Sequence, residues 1–358
     1  MMKKKTLWIN QIKGLCICLV VIYHSVITFY PHLDTFATPW SQTLSKCWIY
    51  FNLYLAPFRM PVFFFISGFL IRRYIADVPW RETLDKRIWQ IFYVLALWGI
   101  LQWLALSQIN AWLAPERDLS HAANAAYADS FSAFLHGMLT ASTSLWYLYA
   151  LVVYFIVCKF TKRWSHAALA VMALMSIAIN FLPLPWWGMN SVLRNMIYYS
   201  LGAWYGATLM EGVKTLAWRR YLLIIVPALM TAIVLWFLNI PLLLSLFSIV
   251  GILRLFYAIE ARFGASETSL FNIVGTNTLA IYTTHRILIE AFSLSLLAPL
   301  NAGRLPPMAE LALLLTYPFL SLVVCILAGL GVRKLSALLF DDLFFTPPAK
   351  LRPAASIR

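Results

Sequence analysis

KKKTLWINQIKGLCICLVVIYHSVITFY, residues 3–30, decides the class of fold. Three lysines lead into an apolar run that continues to Tyr30 with no small-x-small cleavage pattern, so the segment reads as a retained first helix and not a signal peptide. Runs near the ~20 residues needed to cross the hydrocarbon core recur to the carboxyl end. They fall at 11–30, 48–71, 88–107, 143–159, 166–182, 192–210, 221–238, 240–258, 270–296 and 309–331. The expected fold is all-α: a polytopic integral membrane helix bundle of about ten transmembrane helices. At Asn239-Ile240-Pro241 the chain either makes a very tight turn or kinks, because proline removes a backbone donor and disfavours helix before it.

Composition agrees. Of 358 residues, 62% are hydrophobic and 12% charged, and there are 15 tryptophans, a balance that no soluble core can hide. The lipid bilayer is the expected partner and solvent. A net charge of +14 raises the question of nucleic acid, which the placement of the cations answers as topology. With the amino end cytoplasmic, that side holds Lys3 to Lys5, Arg72, Arg73, Arg81, Lys86, Arg87, Lys159, Lys162, Arg163, Lys214, Arg219, Arg220, Arg254 and Arg262. The tail adds Arg333, Lys334, Lys350, Arg352 and Arg358, whereas the opposite side carries only Lys46, Arg117 and Arg304. The asymmetry predicts both termini cytoplasmic and an even number of spans, with a membrane domain over 1–335 and a short cytoplasmic tail over 336–358. The cysteines, Cys16, Cys18, Cys47, Cys158 and Cys325, form no CxxC pair and four lie in apolar runs, so packing is expected and no metal.

Chemistry is expected where polar groups interrupt the apolar runs, because an ionised side chain there costs several kcal/mol unless it pairs, snorkels or faces water. Lys13 and His24 are eleven residues apart, which returns to nearly the same helix face about 16 Å along the axis. In Pro57-Phe58-Arg59-Met60-Pro61 two prolines bracket a cation, which predicts an interrupted helix with Arg59 lining a wet cavity. Ser67-Gly68 reads as a close helix contact. Tyr282 and His285 (i, i+3) share a surface, Asn277 and His285 lie on an i, i+4 stripe, and Arg286 and Glu290 (i, i+4) can neutralise one another. Arg194 and Trp146 open their spans at the outer face, where snorkelling and an aromatic belt also account for them. The longest loop, about 108–142, carries Glu116, Asp118, His121, Asp129 and His136 on that face, either as an ordinary solvated loop or as an acceptor contact.

Taken in order, five strings resemble the acyltransferase-3 family of membrane O-acyltransferases. They are Asn10-x-x-Lys13-Gly14 leading to Val20-Val21-Ile22-Tyr23-His24; Arg59-Met60-Pro61 through Gly68-Phe69; Leu145-Trp146-Tyr147-Leu148; Tyr199-Ser200-Leu201-Gly202-Ala203; and Asn277-Thr278-Leu279-Ala280-Ile281-Tyr282-x-x-His285. Two positions depart from the family pattern. Asn10 and Lys13 stand where Asp and Arg are usual, and of an Arg-x-x-Arg only Arg87 is present, preceded by Lys86 and followed by Gln90.

The resemblance implies a bacterial inner-membrane enzyme that moves an acyl group, usually acetyl, from acyl-coenzyme A onto an extracytoplasmic carbohydrate. On that reading His24 is the base or proton shuttle; Arg59, Tyr282 and His285 surround the reacting carbonyl; and Lys13, Lys86 and Arg87 attract coenzyme A phosphates. Trp146, Arg194 and Asn277 are the candidate acceptor-binding residues. No Ser-His-Asp signature is present, so direct transfer and a transient acyl-histidine are both open. Buried Arg, His and Tyr residues on broken helices also suit a transporter or flippase, and the Asn10 and Lys13 departures suit a non-catalytic relative.

Overall fold

The computed structural model describes residues 7–119, 122–215, 221–264 and 266–348, with the side chains of Asp85 and Lys86 left out. Lys3 to Lys5, His121, Arg219, Arg220, Lys350, Arg352, Arg358 and the side chain of Lys86 therefore lie outside the described residues. Among those described, every regular element is helical. In chain order these are α1 (Leu7–Phe29), α2 (Pro39–Tyr54), α3 (Ala56–Ala76), α4 (Trp80–Thr83), α5 (Gln90–Leu113), α6 (Phe131–Leu139) and α7 (Trp146–Thr161). There follow α8 (Ser165–Ala178), α9 (Trp187–Thr215), α10 (Leu222–Phe237), α11 (Leu242–Phe263), α12 (Leu270–Thr276), α13 (Thr278–Asn301) and α14 (Pro307–Leu339).

Four described stretches are long and apolar enough to cross a membrane: Leu7–His32, Trp80–Leu113, Leu242–Phe263 and Pro307–Leu339. The pair α2 and α3, bent by 42°, makes a fifth if taken as one span. The long α9 and α13 fall short in apolarity for a physical reason. Their polar residues point inward: Asn195 and Ser200 on α9, and Thr283, Thr284, His285, Arg286, Glu290 and Ser293 on α13, are all buried.

The breaks are local chemistry. Thr38 caps α2 by accepting the Ser41 N–H at 3.1 Å, with Pro39 in the first helical position where no donor is needed. The interruption expected between Pro57 and Pro61 falls earlier, at Leu55. Pro57 occupies the second position of α3, where its missing N–H costs nothing, and Pro61 is accommodated inside the helix. Between α10 and α11 the alternative is settled as a turn, because Asn239 adopts φ 65° and α11 begins only at Leu242. The expected ninth span is two helices, α12 and α13, divided at Asn277.

Backbone-to-backbone contacts hold the centre together. A Cβ placed on Gly68 of α3 would stand 2.0 Å from the Tyr199 carbonyl oxygen of α9, and one on Gly202 would stand 2.0 Å from that of Phe65. Gly275 meets the Asn10 carbonyl on α1 in the same way, at 1.8 Å. Small residues let apolar helices approach closely where lipid supplies no hydrophobic drive to pair them. From residue 336, α14 continues to Leu339 and the chain beyond it folds back so that residues 343–345 meet α5. There Trp98 Nε1 donates to the Phe344 carbonyl at 2.8 Å, Tyr93 Oη donates to that of Leu343 at 2.9 Å, and Phe345 is 1% exposed.

Candidate active site

Two cavities approach one another from opposite ends of the bundle and share one residue. The larger, about 740 Å³, is lined by His24 and Thr28 from the carboxyl half of α1, Arg59 from the start of α3, Arg194 from α9, and Tyr282 and Arg286 from α13. A smaller one, about 370 Å³, is lined by Lys13 from the amino half of α1, Ser67 from α3, Arg87, Tyr147 from α7, and again Tyr282. The α1 face that carries Lys13 and His24 thus opens on both. Tyr282 is the partition: its hydroxyl donates to the Ser144 carbonyl at 2.8 Å and accepts the Tyr147 N–H at 3.3 Å. Ser67 and Tyr147 hydroxyls close the wall at 2.6 Å.

His24 and His285 meet with ring centroids 5.0 Å apart. His285 is fully buried behind His24, and its Nδ1 lies 2.6 Å from the Tyr282 carbonyl oxygen. A carbonyl can only accept, so Nδ1 carries the proton and the neutral ring's lone pair is on Nε2. That Nε2 and His24 Nδ1 are both buried and have no hydrogen-bond partner among the described residues. Of the residues expected around a reacting carbonyl, then, His24, Arg59 and Tyr282 line the cavity, and His285 stands one layer behind. The Tyr282 hydroxyl proton is already engaged.

Arg59, 6% exposed, stacks at 4.0 Å on the Tyr23 ring and donates to the backbone oxygen of Asn52 at 3.3 Å and its side-chain oxygen at 3.2 Å. It thereby satisfies a carbonyl near the end of α2, where the helix dipole favours a cation. Trp146 and Arg194 line the same cavity. Asn277 does not join them: at the α12–α13 break its amide donates to the Ile273 carbonyl at 2.9 Å, capping α12. Arg87, in a wide helical turn over Leu84–Trp89, stacks at 4.2 Å on Tyr74 and has a buried Nε without a partner. Gln90, where the family's second arginine would stand, reaches the Phe345 carbonyl at 3.4 Å.

Glu290 supplies what the sequence only began to show. The expected pair with Arg286 forms at 3.1 Å, and Arg117 joins it at 2.6 Å from the long loop. Asn110 donates to the carboxylate at 3.3 Å and Tyr127 at 2.7 Å, and Arg286 also bonds Tyr127 and, at 2.5 Å, Thr28. Burial, against the pull of Arg286, pushes the Tyr127 phenol up to about 12, so it stays a donor. The loop is therefore pinned to α13, and its own chamber of about 840 Å³ shares Arg117, Tyr127 and Trp187 with the His24 cavity. Glu290→Gln leaves two guanidiniums without their counter-charge and is expected to destabilise the fold by about 3–5 kcal/mol. Thermal unfolding in detergent checks this; an unchanged midpoint would mean that the cluster contributes nothing net.

A profile described as an acyltransferase domain, of the acyltransferase-3 family, matches residues 6–331. The chain is 68% identical over 348 residues to the inner membrane protein YcfT of Escherichia coli strain K12, covering 97% of this chain and 98% of that protein. No solved structure matches it. With the five motifs spread over helices that converge on one partitioned site, and with a profile and a full-length relative that agree, the chain belongs to the acyltransferase-3 family and, like that relative, to the inner membrane.

Proposed function

We propose that this protein transfers an acyl group, acetyl as the commonest family donor, from cytoplasmic acyl-coenzyme A to a hydroxyl of an extracytoplasmic carbohydrate. Both termini lie in the cytoplasm and about ten spans carry the chain across. The observation that supports this reading most is the Tyr282 partition, with Lys13 and Arg87 on one side and His24 and Arg59 on the other. Phosphates of the donor would rest against Lys13, Arg87 and Lys86 while its thioester reaches towards Tyr282.

In the direct route, His24 Nε2 takes the proton of the acceptor hydroxyl as its oxygen bonds to the thioester carbonyl carbon. Charge then develops on the carbonyl oxygen, and Arg59, the cation of the candidate catalytic set, lines the same cavity as His24 to stabilise it. Collapse breaks the carbon–sulfur bond, and the coenzyme A thiolate leaves and takes up the proton. His285 packs against the His24 ring from behind and does not line the cavity. If His24 itself is acylated first, the same groups serve both half-reactions.

Purified protein in liposomes, given labelled acetyl-coenzyme A on one side and candidate glycans on the other, tests the proposal. Label on the glycan supports it, whereas passage of unmodified glycan identifies a transporter. Lys13→Ala combined with Arg87→Ala is expected to raise KM for the donor about tenfold or more with little change in kcat, since a charged hydrogen bond is worth about 1.5–3 kcal/mol. Unchanged donor affinity by calorimetry would remove both residues from donor binding.

A further inference from the structure

The wall of the His24 cavity carries four arginines, Arg59, Arg117, Arg194 and Arg286, and no acidic residue among those described. Behind it the Glu290 carboxylate is fully buried and divided between Arg286 and Arg117. Its two oxygens are already occupied by Asn110, Arg117, Tyr127 and Arg286. Among the described residues the partners of Arg59 are neutral, the oxygens of Asn52 and the face of Tyr23. Among the described residues Arg194 has a buried Nε with no partner and forms no ion pair.

Holding guanidiniums in an apolar bundle without counter-charges costs several kcal/mol, and the positive potential they leave is focused by the low-dielectric walls. An anion entering the cavity relieves that cost, and guanidinium suits carboxylate or phosphate through paired donors. Trp146, Trp187 and Trp236 on the same wall add flat aromatic faces for a ring-shaped ligand. Donor phosphates are accounted for at the opposite end, by Lys13 and Arg87.

Resting on the proposed acyl transfer, we infer that the acceptor is an anionic carbohydrate, whose carboxylate or phosphate is held by Arg194 beside the hydroxyl presented to His24. A neutral sugar would leave that guanidinium without a counter-charge. The anion is therefore a specificity element and not an incidental charge.

Digalacturonate and its dimethyl ester, which share every hydroxyl and differ in charge, are suitable probes. Titrated against the protein in phosphatidylcholine nanodiscs and read by tryptophan fluorescence, the acid is expected to bind at least tenfold more tightly at low salt. Arg194→Gln should abolish most of that preference, and Arg194→Lys, which keeps the charge, should retain part of it. Equal affinity for acid and ester, or no binding of the acid at tens of millimolar, overturns the inference, as does full preference in correctly folded Arg194→Gln. Labelled acetyl-coenzyme A is then supplied with the same pair. Anion preference without any acyl transfer refutes the enzymatic reading alone, and equal acylation of both probes refutes the anion inference alone.

Discussion

His24→Ala is expected to lower acyl transfer by about 10²–10⁴-fold while the protein still inserts, accumulates and binds donor. That range is what a positioned general base contributes. The case rests on placement. His24 lines the larger cavity, its Nδ1 is buried without a hydrogen-bond partner among the described residues, and the ring behind it, His285, has its Nδ1 engaged by the Tyr282 carbonyl. Alanine removes the base and leaves a small void beside His285, so donor binding at Lys13 and Arg87 should persist. The control is His285→Gln, which keeps a polar side chain behind His24; it should slow transfer less and shift the pH profile of the remaining activity. Wild-type turnover in His24→Ala, with glycan acylation followed by mass spectrometry, would take this imidazole out of the chemistry.

A large effect on folding is expected at the α3–α9 contact. Gly68 and Gly202 face each other's helix so closely that a Cβ on either would sit 2.0 Å from a backbone oxygen, with another backbone nitrogen at 3.0 Å. Neither obstacle is a flexible side chain, so the helices must separate. Overpacking of this kind costs about 1–3 kcal/mol per site and more when backbone must move. Gly202→Ala should lower the thermal midpoint in detergent, and Gly68→Leu with Gly202→Leu should prevent accumulation of a monodisperse protein on size exclusion. A double leucine variant that runs like wild type would show that α3 and α9 do not pack as described. The same separation would disturb Ser67, whose hydroxyl meets Tyr147 in the partition, so activity should fall in Gly202→Ala even where the protein survives.

Position along the chain made some of the site legible. A cation and an imidazole on one face of a long apolar helix mark one wall of it, and Lys13 and His24 open on the two cavities. The i, i+4 spacing of Arg286 and Glu290 gave their pair, because helix geometry alone brings such residues together. Arg117 and Tyr127 were not legible. They reach Glu290 from a loop more than 160 residues away, and nothing local marks a loop arginine as a partner for a buried carboxylate. Asn277 failed for the opposite reason. Its stripe assumed a continuous helix, whereas the chain breaks there and the amide serves the break.

What the sequence by itself determined is the helical membrane class and the family. Hydrophobic run length reports the solvent directly, and the five motifs recur in a fixed order. Only the tertiary structure decided the bend at Leu55, the docking of residues 343–345 on α5, the His24–His285 contact and the division of one site into two cavities at Tyr282. Each of these depends on which helices approach one another and how closely. In a bundle whose lipid-facing and partner-facing surfaces are equally apolar, that is set by small residues and buried polar bonds between distant segments, and not by any local pattern.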